Sequence, residues 1–210
     1  MDRFEGQGLV CWRGERVVFG GLGFAVAGGH TLLLRGPNGS GKSSLLRCMA
    51  GLLAPMAGRM AWNGAVIAGD TDGHRHRVRY IGHLEAIKPL LTVAENLALW
   101  SRLQGGSDDA IAAGLAALGI AHLAELPARL LSAGQRRRTA LARLTLAPAP
   151  LWLLDEPTTG LDDEGVERFQ RLIAAHCDSG GMAVLSTHID TGVRGSELSL
   201  ADFAVPPVAA

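Results

Sequence analysis

Apolar residues fall into two kinds of pattern along this chain. Three continuous runs have strand length: Leu32-Leu33-Leu34 after Thr31, Leu151-Trp152-Leu153-Leu154, and Met182-Ala183-Val184-Leu185. Each ends in polar residues, the second in Asp155-Glu156-Pro157 and the third in Ser186-Thr187-His188. Uninterrupted apolar strands with helices between them predict a mainly parallel sheet buried on both faces, with its site at the strands' carboxyl ends. Elsewhere the spacing is helical. Ser44, Leu45, Leu46, Met49, Leu52 and Leu53 read as a helix ended by Pro55 and Gly58, and residues 92–146 read as an Ala- and Leu-rich helical insert broken at Gly105-Gly106, Gly119 and Pro127. Residues 9–30 alternate short apolar runs (Val17-Val18-Phe19, Phe24-Ala25-Val26) with many glycines, which predicts short strands and tight turns. Residues 59–64 predict a hairpin strand entering the turn at Asn63-Gly64. Residues 70–79 read as a polar loop with His74 and His76 in solvent, and the tail after Phe203 as frayed.

Composition narrows the class. At 210 residues the chain suits one domain with a sizeable core, and 20 Lys and Arg balance 20 Asp and Glu, so no overall basic field calls for nucleic acid or anionic lipid. Cys11, Cys48 and Cys177 are odd in number and widely spaced, which argues against a disulfide framework and fits a reducing compartment, the cytoplasm. No signal-peptide core opens the chain and no apolar stretch reaches membrane-spanning length, so membrane attachment is expected through a partner.

The chemistry centres on residues 36–43, Gly-Pro-Asn-Gly-Ser-Gly-Lys-Ser, set between a strand pattern and a helix pattern. Gly36, Gly39 and Gly41 let backbone N–H groups turn inward at a helix start, and Pro37, Asn38, Ser40 and Ser44 complete the cradle for an anion. Lys42 supplies a point charge for β- and γ-phosphates, and the Ser43 hydroxyl is a ligand for Mg²⁺. Asp155 offers the second oxygen ligand, and Glu156 stands where a base for an attacking water is wanted. Ser132, in Leu131-Ser132-Ala133-Gly134-Gln135, is an ordinary helix cap on one reading and part of a second anion site on the other. Arg136-Arg137-Arg138 reads as a solvated helix face.

In that order, the phosphate loop, Leu-Ser-Ala-Gly-Gln, Leu-Leu-Asp-Glu-Pro-Thr-Thr-Gly-Leu-Asp and Ser-Thr-His resemble the nucleotide-binding domain of ABC transporters over nearly the whole chain. The resemblance implies an α/β P-loop NTPase with a RecA-like core. It implies an antiparallel β subdomain at about residues 1–30 and 59–70, and an α-helical signature subdomain at about 88–146. It further implies ATP and Mg²⁺ as ligands, and a head-to-tail dimer in which each ATP lies between one protomer's residues 36–43 and Ser132, Gly134 and Gln135 of the other. Position by position, Ser43 and Asp155 hold Mg²⁺, Glu156 is the base, Asp162 belongs to the D-loop, and His188 contacts the γ-phosphate. His83 falls at the Q-loop glutamine. Counting back from Gly36 gives Arg13 for the side chain stacked on adenine, with Trp12 as the alternative if the strand bulges.

Within the family, the Trp-Arg-Gly-Glu-Arg segment from Trp12, Tyr-Ile-Gly-His and Leu-Ser-Ala-Gly-Gln-Arg-Arg-Arg look like the ATPase subunit of the haem exporter of bacterial cytochrome c maturation. That resemblance implies a peripheral subunit on the cytoplasmic face of the bacterial inner membrane, docked on integral-membrane partners, and driving release of a haem-loaded chaperone. Another transporter's ATPase is the alternative. DNA-repair members of the family need a long coiled-coil insert, for which the interval from Lys42 to Ser132 is too short.

Overall fold

A computed structural model describes residues 2–14, 16–188 and 191–205; residues 206–210 of the expected frayed tail, and Glu15 of the Arg-Gly-Glu-Arg segment, lie outside them. Two long antiparallel strands open the chain, β1 (Arg3–Arg13) and β2 (Arg16–Ala27). Gly20, Gly21 and Gly23, expected to end short strands, sit inside β2. The β1–β2 register shifts between Gly6 and Leu9 and twice more before Trp12. A residue without Cβ lets the ladder absorb an extra position, so a run that reads as interrupted is a bulged strand.

β3 (Thr31–Arg35) starts a second sheet and feeds the phosphate loop, which opens into α1 (Lys42–Met49). β4 (Ala57–Trp62) pairs with the free edge of β1 and turns at Asn63-Gly64 into the two-residue β5 (Ala65–Val66). The first sheet thus runs β2-β1-β4-β5.

The expected polar loop at 70–79 is instead a helix, α2 (Thr71–Arg77), running into a strand, β6 (Val78–Ile81). Asp70 caps the helix by accepting from the Gly73 amide. His76 is exposed as expected, but His74 is buried at 2% exposure: Trp62 Nε1 donates to its Nδ1 at 2.9 Å and its Nε2 donates to the Met49 carbonyl at 2.8 Å. Composition misled here because six of the seven helix residues are polar and only one of them faces inward.

The helical insert resolves into α3 (Val93–Gln104), α4 (Asp108–Ala117) and α5 (Ala133–Ala142), with two short 3-10 turns between α4 and α5. Then come β7 (Leu151–Asp155), α6 (Asp163–Asp178), β8 (Met182–Ser186) and the edge strand β9 (Ser196–Ser199). The second sheet is all parallel, in the order β6-β7-β8-β3-β9. Period-two alternation divides its side chains between two cores. Leu32, Leu34, Leu151, Leu153, Met182 and Val184 join α1 and the antiparallel sheet on one face; Leu33, Trp152, Leu154, Ala183 and Leu185 join α3 to α6 on the other.

Burial holds the His74 pKa below that of an ordinary imidazole, and the same cause acts on His176. Above about pH 6.5 both states are neutral and the stabilisation is complete; as pH falls below that value the unfolded chain takes up protons first, and stability is lost until the folded-state pKa is passed. His74→Ala is expected to cost about 2–4 kcal/mol at pH 7.5, through a cavity and an unpaired Trp62 N–H. It should also flatten the loss of stability between about pH 7 and pH 5.5, a change that denaturant titrations at each pH will measure.

Candidate active site

The strand order brings the polar ends of β6, β7, β8 and β3 side by side at one edge of the parallel sheet. There the chain forms a cleft of ≈ 720 Å³ lined by Asn38, Gly39, Gly41, Lys42, Ser43, Ser44, His83, Asp155, Glu156 and Arg13. Gly36, Pro37 and Ser40 lie in the loop beneath: Lys42 Nζ donates to the carbonyls of Gly36 at 2.7 Å and Pro37 at 3.0 Å, and the Ser40 amide donates to Pro37 at 3.2 Å. The loop is thereby folded into its cradle and the buried ammonium is held at its centre. Gly41 has φ 100°, and a Cβ there would lie 2.5 Å from Val18 Cγ1. No L side chain fits both conditions. Ser40 Oγ is buried without a hydrogen-bond partner among the described residues, the kind of orphan a bound ligand or water satisfies.

The acidic pair is fixed from the neighbouring strand. Asp155, 4% exposed at the end of β7, accepts from Ser186 Oγ at 2.6 Å. The Glu156 amide donates to the Ser186 carbonyl at 3.1 Å, and its φ of 48° is unusual for a residue with a side chain. That backbone turn points the Glu156 carboxylate to His188 Nδ1, 3.2 Å away, with Thr159 Oγ1 donating at 3.4 Å. Ser186 was missed as a site residue; it stood in the Ser-Thr-His segment, and only its place across from Asp155 reveals its work. Among the described residues no three His, Cys, Asp or Glu side chains are grouped to hold a metal. Ser43 and Asp155 line the same cleft with a hydroxyl and a carboxylate, the oxygen donors that suit a Mg²⁺ completed by phosphate and water.

Arg13 lines the cleft, whereas Trp12 is 49% exposed and donates to the Gly14 carbonyl at 2.6 Å. Arg16 and Val18 on β2 also line it, and neither was anticipated, because the bulges hide which face of β2 a given residue takes.

Ser132, Gly134, Gln135 and Asp162 are not brought to this cleft. They line a second one of ≈ 350 Å³, with Arg138 and Gly160. Ser132 and Gln135 close a reciprocal capping box at the start of α5: Ser132 Oγ accepts from the Gln135 amide at 3.2 Å, and Gln135 Oε1 accepts from the Ser132 amide at 2.9 Å. A Cβ on Gly134 would lie 2.8 Å from the Gly160 carbonyl, so glycine permits close contact between the two loops. Asp162 caps α6 and pairs with Arg138, whose guanidinium lowers the pKa of its carboxyl. Two of the three arginines on α5 do not belong to a solvated face: Arg137 and Arg138 are 4% and 8% exposed, whereas the Arg136 side chain is 39% exposed. Their partners are backbone carbonyls and a carboxylate from distant segments, which no spacing rule reveals.

Comparison with known proteins gives concordant findings. A family profile described as ABC transporter matches residues 19–159. A protein of Rhodospirillum rubrum named Cytochrome c biogenesis ATP-binding export protein CcmA is 53% identical over 205 residues, covering 97% of this chain and 88% of that one. Its namesake in Paramagnetospirillum magneticum is 52% identical over 207 residues, covering 96% and 95%. A solved structure of the ATP binding subunit of an ABC transporter superposes with a TM-score of 0.80 at 25% identity, covering 89% of this chain and 79% of that chain.

Gly41→Ala is expected to weaken nucleotide binding about tenfold or more, because the strained φ and the clash with Val18 together cost at least about 1.4 kcal/mol. Equilibrium titration with a fluorescent ATP analogue will measure it; affinity unchanged by the substitution would show that the loop does not hold the phosphates.

Proposed function

The chain belongs to the ABC transporter family and, within it, to the CcmA group of cytochrome c biogenesis ATP-binding export proteins, and on that premise we propose that it powers a haem exporter. It is an ATP-hydrolysing transport ATPase. The observation that carries our reading is the division of phosphate-binding groups between two clefts of one chain that share no residue. One cleft has the loop, the ammonium and the acids; the other has a capped helix start with its hydroxyl at the rim. A second copy, placed head to tail, supplies to each triphosphate what its own protomer lacks.

In this scheme residues 36–43 and Lys42 bind the β- and γ-phosphates, and Ser44 supports the loop from within. Arg13 stacks on adenine through its guanidinium. Ser43 and Asp155 hold Mg²⁺, which when bound neutralises charge on the phosphates. Glu156 takes a proton from water as the water oxygen bonds to the γ-phosphorus and the bond to the bridging oxygen breaks, leaving ADP and phosphate. His188, hydrogen-bonded to Glu156, orients that carboxylate and reaches the γ-phosphate; His83 lines the same cleft in the place of the Q-loop glutamine. Ser132, Gly134, Gln135 and the Asp162 loop act on the ATP of the other protomer.

Among the described residues no helix is long and apolar enough to cross a membrane. We assign membrane attachment to integral-membrane subunits at the cytoplasmic face of the inner membrane. Leu84 and Leu90, each 83% exposed, and Leu99 and Leu103 on one side of α3 offer apolar side chains for that contact. The antiparallel sheet and α3 to α5 then form the β and helical subdomains around the RecA-like core. Dimer closure by ATP and opening on hydrolysis move the membrane subunits and release the haem-loaded chaperone.

Glu156→Gln should bind ATP, lower turnover about a hundredfold or more, and elute as a dimer with ATP. Lys42→Ala should abolish that dimer, and Ser132→Arg should prevent it while leaving ATP affinity intact. Light scattering on the eluted protein reads all three. Near-normal turnover by Glu156→Gln, or elution of that variant as a monomer with ATP bound, would sink the scheme.

A further inference from the structure

Arg137 sits two residues past the capping box of α5 and makes four hydrogen bonds, none to a carboxylate. Its Nε donates to the Pro157 carbonyl at 3.1 Å, Nη1 to Gly82 at 3.0 Å, and Nη2 to both Asp155 at 2.7 Å and Glu156 at 2.9 Å. Four of the five N–H donors of one guanidinium are thus spent on two backbone segments. One segment carries the acidic pair; the other immediately precedes His83. The planar fork matters. A lysine ammonium offers three donors from one point, and a glutamine amide two, so neither reaches four carbonyls spread over both segments.

The placement explains how Glu156 keeps its backbone conformation. A non-glycine residue at φ 48° persists only where its surroundings over-determine it. Here Ser186 holds the Glu156 amide, while Arg137 holds the Glu156 carbonyl and those on either side. The same helical run grips the Q-loop segment again six residues later. Arg143 Nη1 donates to the Glu85 carbonyl at 3.0 Å, with its guanidinium 3.6 Å over the Trp100 ring. A shift of α5 therefore reaches the acidic pair and the His83 segment together through Arg137, and the His83 segment again through Arg143.

We propose that Arg137 is a positioning residue for hydrolysis that couples the two nucleotide sites, because it fixes Glu156 of its own site from the helix whose first turn binds the partner protomer's ATP. The coupling rests on the two-protomer reading above. Through this arginine, filling the trans half-site sets the aim of the catalytic carboxylate in the cis half-site. Each protomer then hydrolyses efficiently only when its capped helix start is occupied.

The test uses the purified 210-residue chain with Arg137→Gln and Arg137→Lys. Arg137→Gln should lower kcat about tenfold or more while ATP affinity stays within about twofold, and the Hill coefficient for ATP should fall to about one. Arg137→Lys should recover part of kcat, since three donors hold some of the four carbonyls. The doubly substituted chain, Arg137→Gln with Glu156→Gln, should still form the ATP dimer, a readout that a collapsed fold would lose. Two results would overturn the proposal: kcat and Hill coefficient like those of the unmodified chain, or kcat, affinity and dimerisation lost together without recovery by lysine. Failure of Glu156→Gln alone to dimerise would instead remove the two-protomer reading and the coupling with it.

Discussion

The hydroxyl of Ser186, 2.6 Å from the Asp155 carboxylate, joins the ends of two strands that are wholly buried along their length. A parallel sheet covered on both faces has polar freedom only where its strands stop, and the crossover helices force all those stops to one edge. In this chain that edge gathers the Lys42 loop, the acidic pair, His83 and His188 from segments spread over more than a hundred residues. The apolar alternation that divides Leu32 from Leu33 and Leu153 from Leu154 thus does two things at once. It fills both cores, and a one-residue slip of β7 against β8 would exchange them; in the register that forms, Asp155 lies opposite Ser186.

Much of this is legible in the sequence alone. Continuous apolar runs mark β3, β7 and β8, because strands buried on both faces leave an unmistakable pattern, and the residues after them meet at one end of the sheet. What escaped was polar burial. His74 and Arg137 look like surface residues to any reading based on composition, since their neighbours in sequence are polar and their partners are not their neighbours. Trp62 and the Met49 carbonyl satisfy one; carbonyls at Gly82 and at residues 155–157 satisfy the other. Arg16 and Val18 were hidden for a different reason. Glycine bulges in the β1–β2 ribbon break the two-residue period, so inward and outward positions cannot be counted from one end. The choice between Trp12 and Arg13 suffered from the same break.

Arginine does an unusual share of the internal fastening. Arg137, Arg138 and Arg143 are all nearly buried, and all three donate to backbone carbonyls. Carbonyls at the ends of strands and 3-10 turns have no ladder partner, and a charged donor satisfies several of them with one side chain. Burial lowers the pKa of Arg143 to about 10, which still leaves it charged at neutral pH. The helical insert is therefore tied to the sheet by directional contacts as well as by apolar packing. Directional ties transmit small rotations that a purely oily contact would absorb.

The capping box at Ser132 carries a consequence for kinetics. Because Ser132 Oγ accepts from the Gln135 amide and the Gln135 side chain returns the bond, the first turn of α5 is already rigid in a single protomer. Its hydroxyl hydrogen needs no rearrangement to meet an incoming anion, and little ordering entropy opposes the encounter. Two such preset surfaces would meet as stiff bodies, so the speed of closure would depend on diffusion and orientation rather than on slow local folding.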